Sequence, residues 1–210
     1  MKKILTAMFV CGLCASFVQA ALITDSSSIT GTTTVISFSG ITGTGVTTPV
    51  NLGYGVTVAG TAGGLYFNWN GWGLNDNGSW NTGRDGYVGI NDSGVTTFSF
   101  TDPVSQVGAF MNYSPLYACT ISVLGNSGQV LESYDLSTAA PISTPGGVNA
   151  GAFRGISRTA ADIYGFRMNT GYPVADNLTF SQAIPEPASA LLIAAGAVIV
   201  LLKRRFFGLS

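Results

Sequence analysis

The chain has 210 residues, 28 glycines, no histidine, 9% charged residues and a formal net charge of −1 at pH 7. The lack of histidine excludes Ser-His-Asp and Cys-His catalysis, and it excludes zinc sites that depend on imidazole. The sequence contains neither a phosphate-binding glycine loop nor a basic patch interleaved with aromatic residues, which argues against nucleotide and nucleic acid binding.

The first 20 residues have the three parts of a secretory signal peptide. Lys2 and Lys3 form a basic start, residues 4–18 form an apolar core, and small residues end the segment at Ala20. A signal peptidase reads this arrangement. We therefore expect signal peptidase to be a partner and to cleave after Ala20, with the bond after Ala21 as the second choice.

The three cysteines do not form a disulfide framework. Cys11 and Cys14 lie in the predicted signal peptide and follow Val10 and Leu13 rather than the small residue of a lipidation site, so a lipoprotein is disfavoured. Cys119 has no partner in the rest of the chain. Because it lies in an apolar run and no histidine can activate it, we expect a buried, unreactive thiol.

Residues 21–184 form a candidate ectodomain of 164 residues, long enough for one domain with a hydrophobic core. It carries four arginines against nine acidic residues, a formal balance of −5, and no lysine. Such a surface disfavours binding to nucleic acid and to anionic lipid.

Short alternating runs rich in β-branched and aromatic residues predict strands in this ectodomain. The predicted strands are 34–38, 54–58, 95–100, 104–112, 117–124, 129–136, 162–168 and 174–180. Asp102-Pro103 predicts a turn, residues 40–48 a loop or loose edge, and residues 137–151 a loop. Turn residues every 8–12 positions and the lack of a helical apolar stripe predict an all-β fold, an antiparallel β-sandwich.

Residues 65–92 predict a long polar, aromatic loop. The segment holds all three tryptophans, Trp69, Trp72 and Trp80, together with Tyr66. Aromatic faces flanked by amides could stack on sugar rings, which makes these residues a possible carbohydrate-binding site. The alternative, which we favour, is that the tryptophans seal one end of the core.

The same region is rich in oxygen ligands. They are Asn75, Asp76, Asn77, Asn81, Asp85, Asn91 and Asp92. Calcium uses six to eight such oxygens, but the EF-hand spacing is absent and Asx turns explain the same residues. We expect no cofactor, with calcium at Asp76 and Asp85 as the weaker alternative.

Catalysis by paired carboxylates is the least favoured reading. The ectodomain has one glutamate, Glu132, on a predicted strand. Asp85 with Asp92, or Asp76 with Asp85, could form the pair that a glycoside hydrolase needs, but nothing in the sequence singles them out. We expect that the protein is not an enzyme.

The last 26 residues have a tripartite pattern. Pro185, Glu186 and Pro187 hold the chain extended, and Ala188 and Ser189 follow. Residues 188–202 then predict a transmembrane helix about 22 Å long. A cationic cluster ends it: Lys203, Arg204 and Arg205. Since basic residues stay on the cytoplasmic side, the ectodomain is predicted to face away from the cytoplasm.

This C-terminal pattern resembles the PEP-CTERM sorting signal of Gram-negative bacteria. The resemblance implies that an exosortase cleaves near Pro185–Pro187 and passes the protein on to the surface. The ectodomain looks like the jelly-roll-like domains common in such proteins. The short segments that carry that likeness are 98–100, 107–110, 153–156 and 176–180.

The resemblance implies a secreted, surface-sorted structural or adhesive protein of an exopolysaccharide or biofilm matrix. The expected partners are an exosortase, signal peptidase, exopolysaccharide and, transiently, the inner membrane. The ectodomain is expected in the periplasm before processing and at the cell surface or outside the cell afterwards. The alternative is a carbohydrate-binding module that uses the loop from Trp69 to Trp80; a glycoside hydrolase is less favoured.

Overall fold

A computed structural model describes residues 19–61, 63–69, 72–80, 88–90, 94–144, 146–149, 151–169 and 171–182. The predicted signal-peptide core and the C-terminal segment 185–210 lie outside the described residues, as do Asp85 and Asp92. No helix within the described part is both long and apolar enough to span a membrane. The predictions for the two chain ends therefore stay predictions.

The described part of the chain is almost entirely β-structure, as the sequence predicted. The strands are β1 Ala20–Ile23, β2 Thr33–Ile36, β3 Gly43–Val46, β4 Val50–Gly53, β5 Val56–Gly60, β6 Leu65–Phe67, β7 Trp72–Gly73, β8 Ser79–Trp80, β9 Val88–Ile90, β10 Val95–Asn112, β11 Thr120–Leu124, β12 Val130–Asp135, β13 Val148–Asn149, β14 Ala152–Arg158, β15 Ile163–Asn169 and β16 Val174–Gln182. One short helix, α1 (Leu136–Ala139), and the 3₁₀ turns Ser26–Ser28 and Asn75–Asn77 complete the described elements.

The strands form two antiparallel layers that share the long strand β10. Its first half pairs with β5 and β15, and the first layer runs in the order β4-β5-β10-β15-β11-β12. Its second half pairs with β14 and β16, and the second layer continues to β1 on one side. On the other side, β16 pairs with β2 and with β9, which leads to β6 and β3.

The crossing of β10 between the layers depends on a bulge. In the first half the buried side chains are even-numbered, Phe98 and Phe100, whereas in the second half they are odd-numbered, Val107 and Met111. The register to β16 shifts between Val104 and Gln106, which inserts one extra residue. A bulge reverses the alternation, so the strand keeps its apolar residues on the core side in both layers.

The core lies between the two layers and is rich in phenylalanine. Phe38 and Phe166 stack on either side of Phe98, with ring centroids 5.9 and 6.4 Å away. Phe100 and Phe180 come from different layers and meet at 5.1 Å. These contacts belong to one continuous apolar cluster, so the described strands form a β-sandwich.

The outer face of the second layer is also covered. The segment that contains β7 and β8 folds back over it and forms a small three-stranded sheet with β13. Phe110 and Val174 point outward from the layer and pack under this cover. The part of the second layer around Phe110 and Val174 is therefore buried on both sides, and the cover positions the tryptophans.

Several local predictions were wrong. Residues 65–92 are not one loop, since β6, β7, β8 and β9 lie within them, and Asp102-Pro103 lies inside β10 rather than in a turn. Residues 136–139 form α1 rather than a loop, whereas the loop or loose edge predicted for residues 40–48 contains the edge strand β3. Strands β1 and β14 were not predicted; β1 includes Ala20, so the predicted cleavage bond lies within a paired strand.

Candidate functional site

Asn77 fixes the covering segment to the sandwich. Its side chain is buried, and its Nδ2 group donates to Oδ1 of Asn112 at 3.0 Å and to the carbonyl oxygens of Tyr113 at 2.9 Å and Ile142 at 3.0 Å. Its Oδ1 accepts from the backbone N–H of Thr144. Because these contacts occupy its amide, Asn77 has a structural role rather than that of a metal ligand.

Trp72 and Trp80 are core residues of the cover. They are 7% and 1% exposed and pack with Leu74 and Val174. Two glycines make room for the indoles. A Cβ on Gly89 would lie 2.9 Å from the ring of Trp72, and one on Gly151 would lie 2.7 Å from the ring of Trp80. Both tryptophans are therefore packing residues, but they lie in a separate cluster on the outer face of the second layer rather than at one end of the main core.

Trp69 is different, because 45% of it is exposed. Its ring meets Tyr66 edge to face, with centroids 5.6 Å apart and planes at 89°. Tyr66 in turn lies 5.6 Å from the buried ring of Trp72. The exposed indole is thus the outer member of a packed row of three rings, and its position is set by a buried anchor.

A hydrogen bond links Trp72 to the backbone of a second pair of rings. The indole Nε1 donates to the carbonyl oxygen of Tyr172 at 3.4 Å, and the ring of Tyr172 lies 5.5 Å from that of Tyr117. Tyr117 is also exposed. We call these five residues, Trp69, Tyr66, Trp72, Tyr172 and Tyr117, the aromatic face.

Hydrogen bonds hold the Tyr117 end of this face in place. The backbone N–H of Ser114 donates to the carbonyl of Gly171 at 2.7 Å, and the side chain of Asn75 donates to the hydroxyl of Ser114 at 2.6 Å. Tyr172 has φ +51°, a conformation that few aromatic residues adopt. Neither Tyr117 nor Tyr172 was predicted from the sequence as a site residue, since Tyr117 stands at the edge of a predicted strand and Tyr172 lies far along the chain.

The aromatic face can offer flat apolar surface without charge. An exposed ring with polar atoms at its rim can stack on the apolar face of a sugar while hydroxyls remain solvated. Two of the described arginines are engaged elsewhere, because Arg154 is buried against backbone carbonyls and Arg158 pairs with Asp162 at 2.7 Å. The arrangement suits a neutral, ring-shaped ligand.

Of the predicted calcium ligands, the described residues include Asn75, Asp76 and Asn77. Asn75 and Asn77 use their side chains in hydrogen bonds, and Asp76 is exposed beside them. Among the described residues, no three His, Cys, Asp or Glu side chains lie close enough together to hold a metal ion. Asp85 lies outside that part of the chain, so the weaker alternative of a pair with Asp76 stays a prediction.

Several described acids have structural tasks. Asp25 accepts from the backbone N–H of Ser27 at 2.9 Å, and this hydrogen bond lowers the pKa of its carboxyl group. Asp135 accepts from the backbone N–H of Ser137 and caps α1. Oδ1 of the buried Asp176 accepts from the backbone N–H of Asn177.

Cys119 is fully buried, as predicted. Burial raises the pKa of its thiol far above the ordinary value, and the charge of Asp135 raises it further. The thiol therefore stays protonated, and a protonated, inaccessible sulfur is a poor nucleophile.

No protein-family model matches the chain, and no curated protein sequence matches it. One solved structure to which the chain is similar is that of CsCBM6-3 from Clostridium stercorarium in complex with cellobiose. The two are 17% identical, with a TM-score of 0.27, and the match covers 78% of this chain and 94% of the other. A likeness of this degree does not assign the chain to a family.

Proposed function

We propose that the protein is an exported, non-catalytic component of a polysaccharide matrix that binds the polysaccharide through its aromatic face. Its sandwich, in this proposal, is of the jelly-roll type. The observation that carries the proposal is the exposure of Trp69. Its ring packs on Tyr66, which in turn packs on the buried Trp72. A tryptophan that served only the core would be covered like Trp80.

Rigid placement is what makes such a surface useful. A ring already fixed by Tyr66 loses little conformational entropy when a sugar stacks on it, so more of the contact energy appears as affinity. A single stacked sugar gives weak binding, but a polymer presents many units and can engage Trp69 and Tyr117 in turn. Retention on a matrix therefore does not require a deep pocket.

In this proposal, the two chain ends direct the export and sorting of the protein. The signal peptide, residues 1–20, directs export, and the segment 185–210 holds the ectodomain at the inner membrane until an exosortase acts near Glu186. The basic residues Lys203 to Arg205 keep the anchor oriented. The mature protein then reaches the cell surface or the matrix, where the aromatic face meets exopolysaccharide.

The binding half of the proposal is tested by retention on exopolysaccharide from the producing cells. Wild-type protein is expected to sediment with the polysaccharide, and Trp69→Ala is expected to remain largely in solution. Val130→Ala is the matched control, because Val130 is an exposed apolar residue without a ring and lies on β12, which contributes no residue to the aromatic face. Equal retention of Trp69→Ala and wild type would reject the aromatic face as the binding surface.

The sorting half is tested by the intact mass of the exported protein in cells with and without the sorting protease. The product is expected to lack residues 1–20 in both kinds of cell. It is expected to lack the segment after the cleaved bond near Pro185–Pro187 only in cells that have the sorting protease. A mature protein that still carries Lys203 to Arg205 in protease-positive cells would reject the sorting proposal and leave the binding proposal standing.

A further inference from the structure

A cleft lies where β10 crosses between the two layers. It has a volume of about 390 Å³, and it is formed by the tip of the β4–β5 hairpin and the adjoining part of β10. Its lining includes Tyr54, Asp102, Pro103, Phe100 and Phe180. This volume is at the small end of the roughly 300–1,000 Å³ range of small-molecule sites, which suits one or two sugar rings.

Tyr54 forms the exposed wall of this cleft. It is 72% exposed and has φ +51°, although the left-handed region favours glycine or asparagine over an aromatic residue. The neighbouring Gly55 accepts from the backbone N–H of Thr101 at 2.8 Å, which ties the hairpin tip to β10. The fold thus holds a large ring in solvent, in an unfavourable conformation, at the mouth of a cleft.

Asp102 supplies the polar group. Its side chain is exposed, and among the described residues no hydrogen-bond donor or cation engages its carboxylate. The floor is apolar, since Phe100 and Phe180 are buried and meet edge to face. A ring wall, an apolar floor and one free carboxylate form a site that combines stacking with directed hydrogen bonding.

We propose that this cleft binds one pyranose unit of a polysaccharide and that it prefers a hexosamine with a free amino group to a neutral sugar or a uronic acid. A carboxylate accepts hydrogen bonds from hydroxyl or ammonium groups, and the face of Tyr54 attracts a cation. Asp102 and the −5 balance of the ectodomain both repel a carboxylate-bearing sugar.

The cleft is separate from the aromatic face. Phe180 and Val174 lie six residues apart on β16, which is roughly 20 Å at about 3.3 Å per residue. Val174 packs with Trp72 beneath the aromatic face, whereas Phe180 forms part of the cleft. Two separated sites on one domain would let the protein bridge two polysaccharide chains. The cleft does not depend on the aromatic face for its ligand.

The test is the affinity of the full-length chain for a glucosamine tetramer, with a galacturonic acid tetramer as the acidic probe. We expect wild type to bind the glucosamine tetramer, Asp102→Asn to bind it roughly fivefold or more weakly, and Tyr54→Asn to lose most binding. Asparagine tolerates the left-handed turn, so Tyr54→Asn removes the ring without straining the hairpin. Its urea unfolding midpoint serves as the folding check.

A control variant separates an effect at this site from a general loss of negative charge. Asp76→Asn removes an exposed carboxylate elsewhere and is not expected to change glucosamine binding. The proposal is overturned if wild type does not bind the glucosamine tetramer, if all variants bind it equally, or if the galacturonic acid tetramer binds as tightly. If the aromatic face did not bind polysaccharide, wild type and Trp69→Ala would be retained equally on exopolysaccharide.

Discussion

Trp69 stands edge-on to Tyr66, with ring centroids 5.6 Å apart and planes at 89°. Tyr66 rests against Trp72, whose ring is packed over Gly89. The three rings pass from solvent to a buried anchor within one short segment of chain. This gradient of burial separates the tryptophan that can meet a ligand from the tryptophans that hold the cover in place.

The first prediction concerns the difference between Trp69 and Trp80. Trp80→Ala is expected to lower the free energy of unfolding by about 3–5 kcal/mol, because it leaves a cavity beneath the cover. Trp69→Ala is expected to change it by no more than about 0.5–1 kcal/mol. Urea unfolding of the two variants measures both values, and a similar loss for each would contradict the assignment of roles.

Asn77 provides a second test. Asn77→Asp replaces the buried donor with a carboxylate that cannot donate to Asn112, Tyr113 and Ile142. We expect a loss of about 3 kcal/mol or more in the free energy of unfolding. Asn126→Asp is the control, since Asn126 is exposed in the β11–β12 turn and should tolerate the change. Equal stability of Asn77→Asp and Asn126→Asp would contradict the structural role of Asn77.

Arg154 is a buried cation held by backbone carbonyls. Its Nε, Nη1 and Nη2 groups donate to the carbonyl oxygens of Ala140, Phe153 and Pro141 at 2.7–2.8 Å. Burial lowers the pKa of the guanidinium. Since a lysine ammonium cannot reproduce this planar fork, Arg154→Lys is expected to cost about 2–3 kcal/mol of stability.

The matched control for that substitution is Arg167→Lys. Arg167 is only half-buried, and no acceptor among the described residues binds its Nε. We expect this variant to unfold within about 0.5 kcal/mol of wild type. Thermal or urea unfolding compares the two. Equal losses would mean that the carbonyl contacts of Arg154 add nothing specific to stability.

The buried thiol of Cys119 is expected to make the protein less stable at alkaline pH. Burial raises the pKa of the folded thiol above its ordinary value of 9.0, so above that pH the thiol ionises in the unfolded chain alone. The free energy of unfolding therefore does not depend on this thiol below about pH 9. Above that pH it falls by about 1.4 kcal/mol per pH unit. Burial also raises the pKa of Tyr113, whose effect begins near its ordinary value of 10.0.

The comparison that isolates this effect is urea unfolding of wild type and Cys119→Ala between about pH 7 and about pH 10. The variant is expected to be less stable at neutral pH but to lose less stability as the pH rises from about 9 to about 10. Parallel pH curves for the two proteins would contradict the assignment.

The sequence predicted the β-sandwich because alternation and turn residues are local signals. Residues 162–168 and 174–180 were assigned as strands within two residues of β15 and β16. The error at Asp102-Pro103 has a physical cause. That pair usually ends a strand, but here β10 changes layers at this point, so its backbone does not need a partner on both sides.

The candidate site was only partly accessible to sequence reasoning. The tryptophans stood out by residue type, yet nothing local to Trp69 distinguishes it from Trp72 or Trp80. Their different exposure arises because the segment folds onto Val174, which is about 100 residues away in the chain. Tyr172 and Tyr117 join the face through the same long-range contacts, which no pattern in either segment predicts.

The ring of Trp69 is the feature on which the proposed binding depends most. The direct measurement is the dissociation constant for the exopolysaccharide of wild type, Trp69→Tyr and Trp69→Ala, each checked for unchanged unfolding. We predict that Trp69→Tyr, which keeps an aromatic face, binds within a few fold of wild type, and that Trp69→Ala binds roughly tenfold more weakly or worse. Three equal dissociation constants would contradict the account.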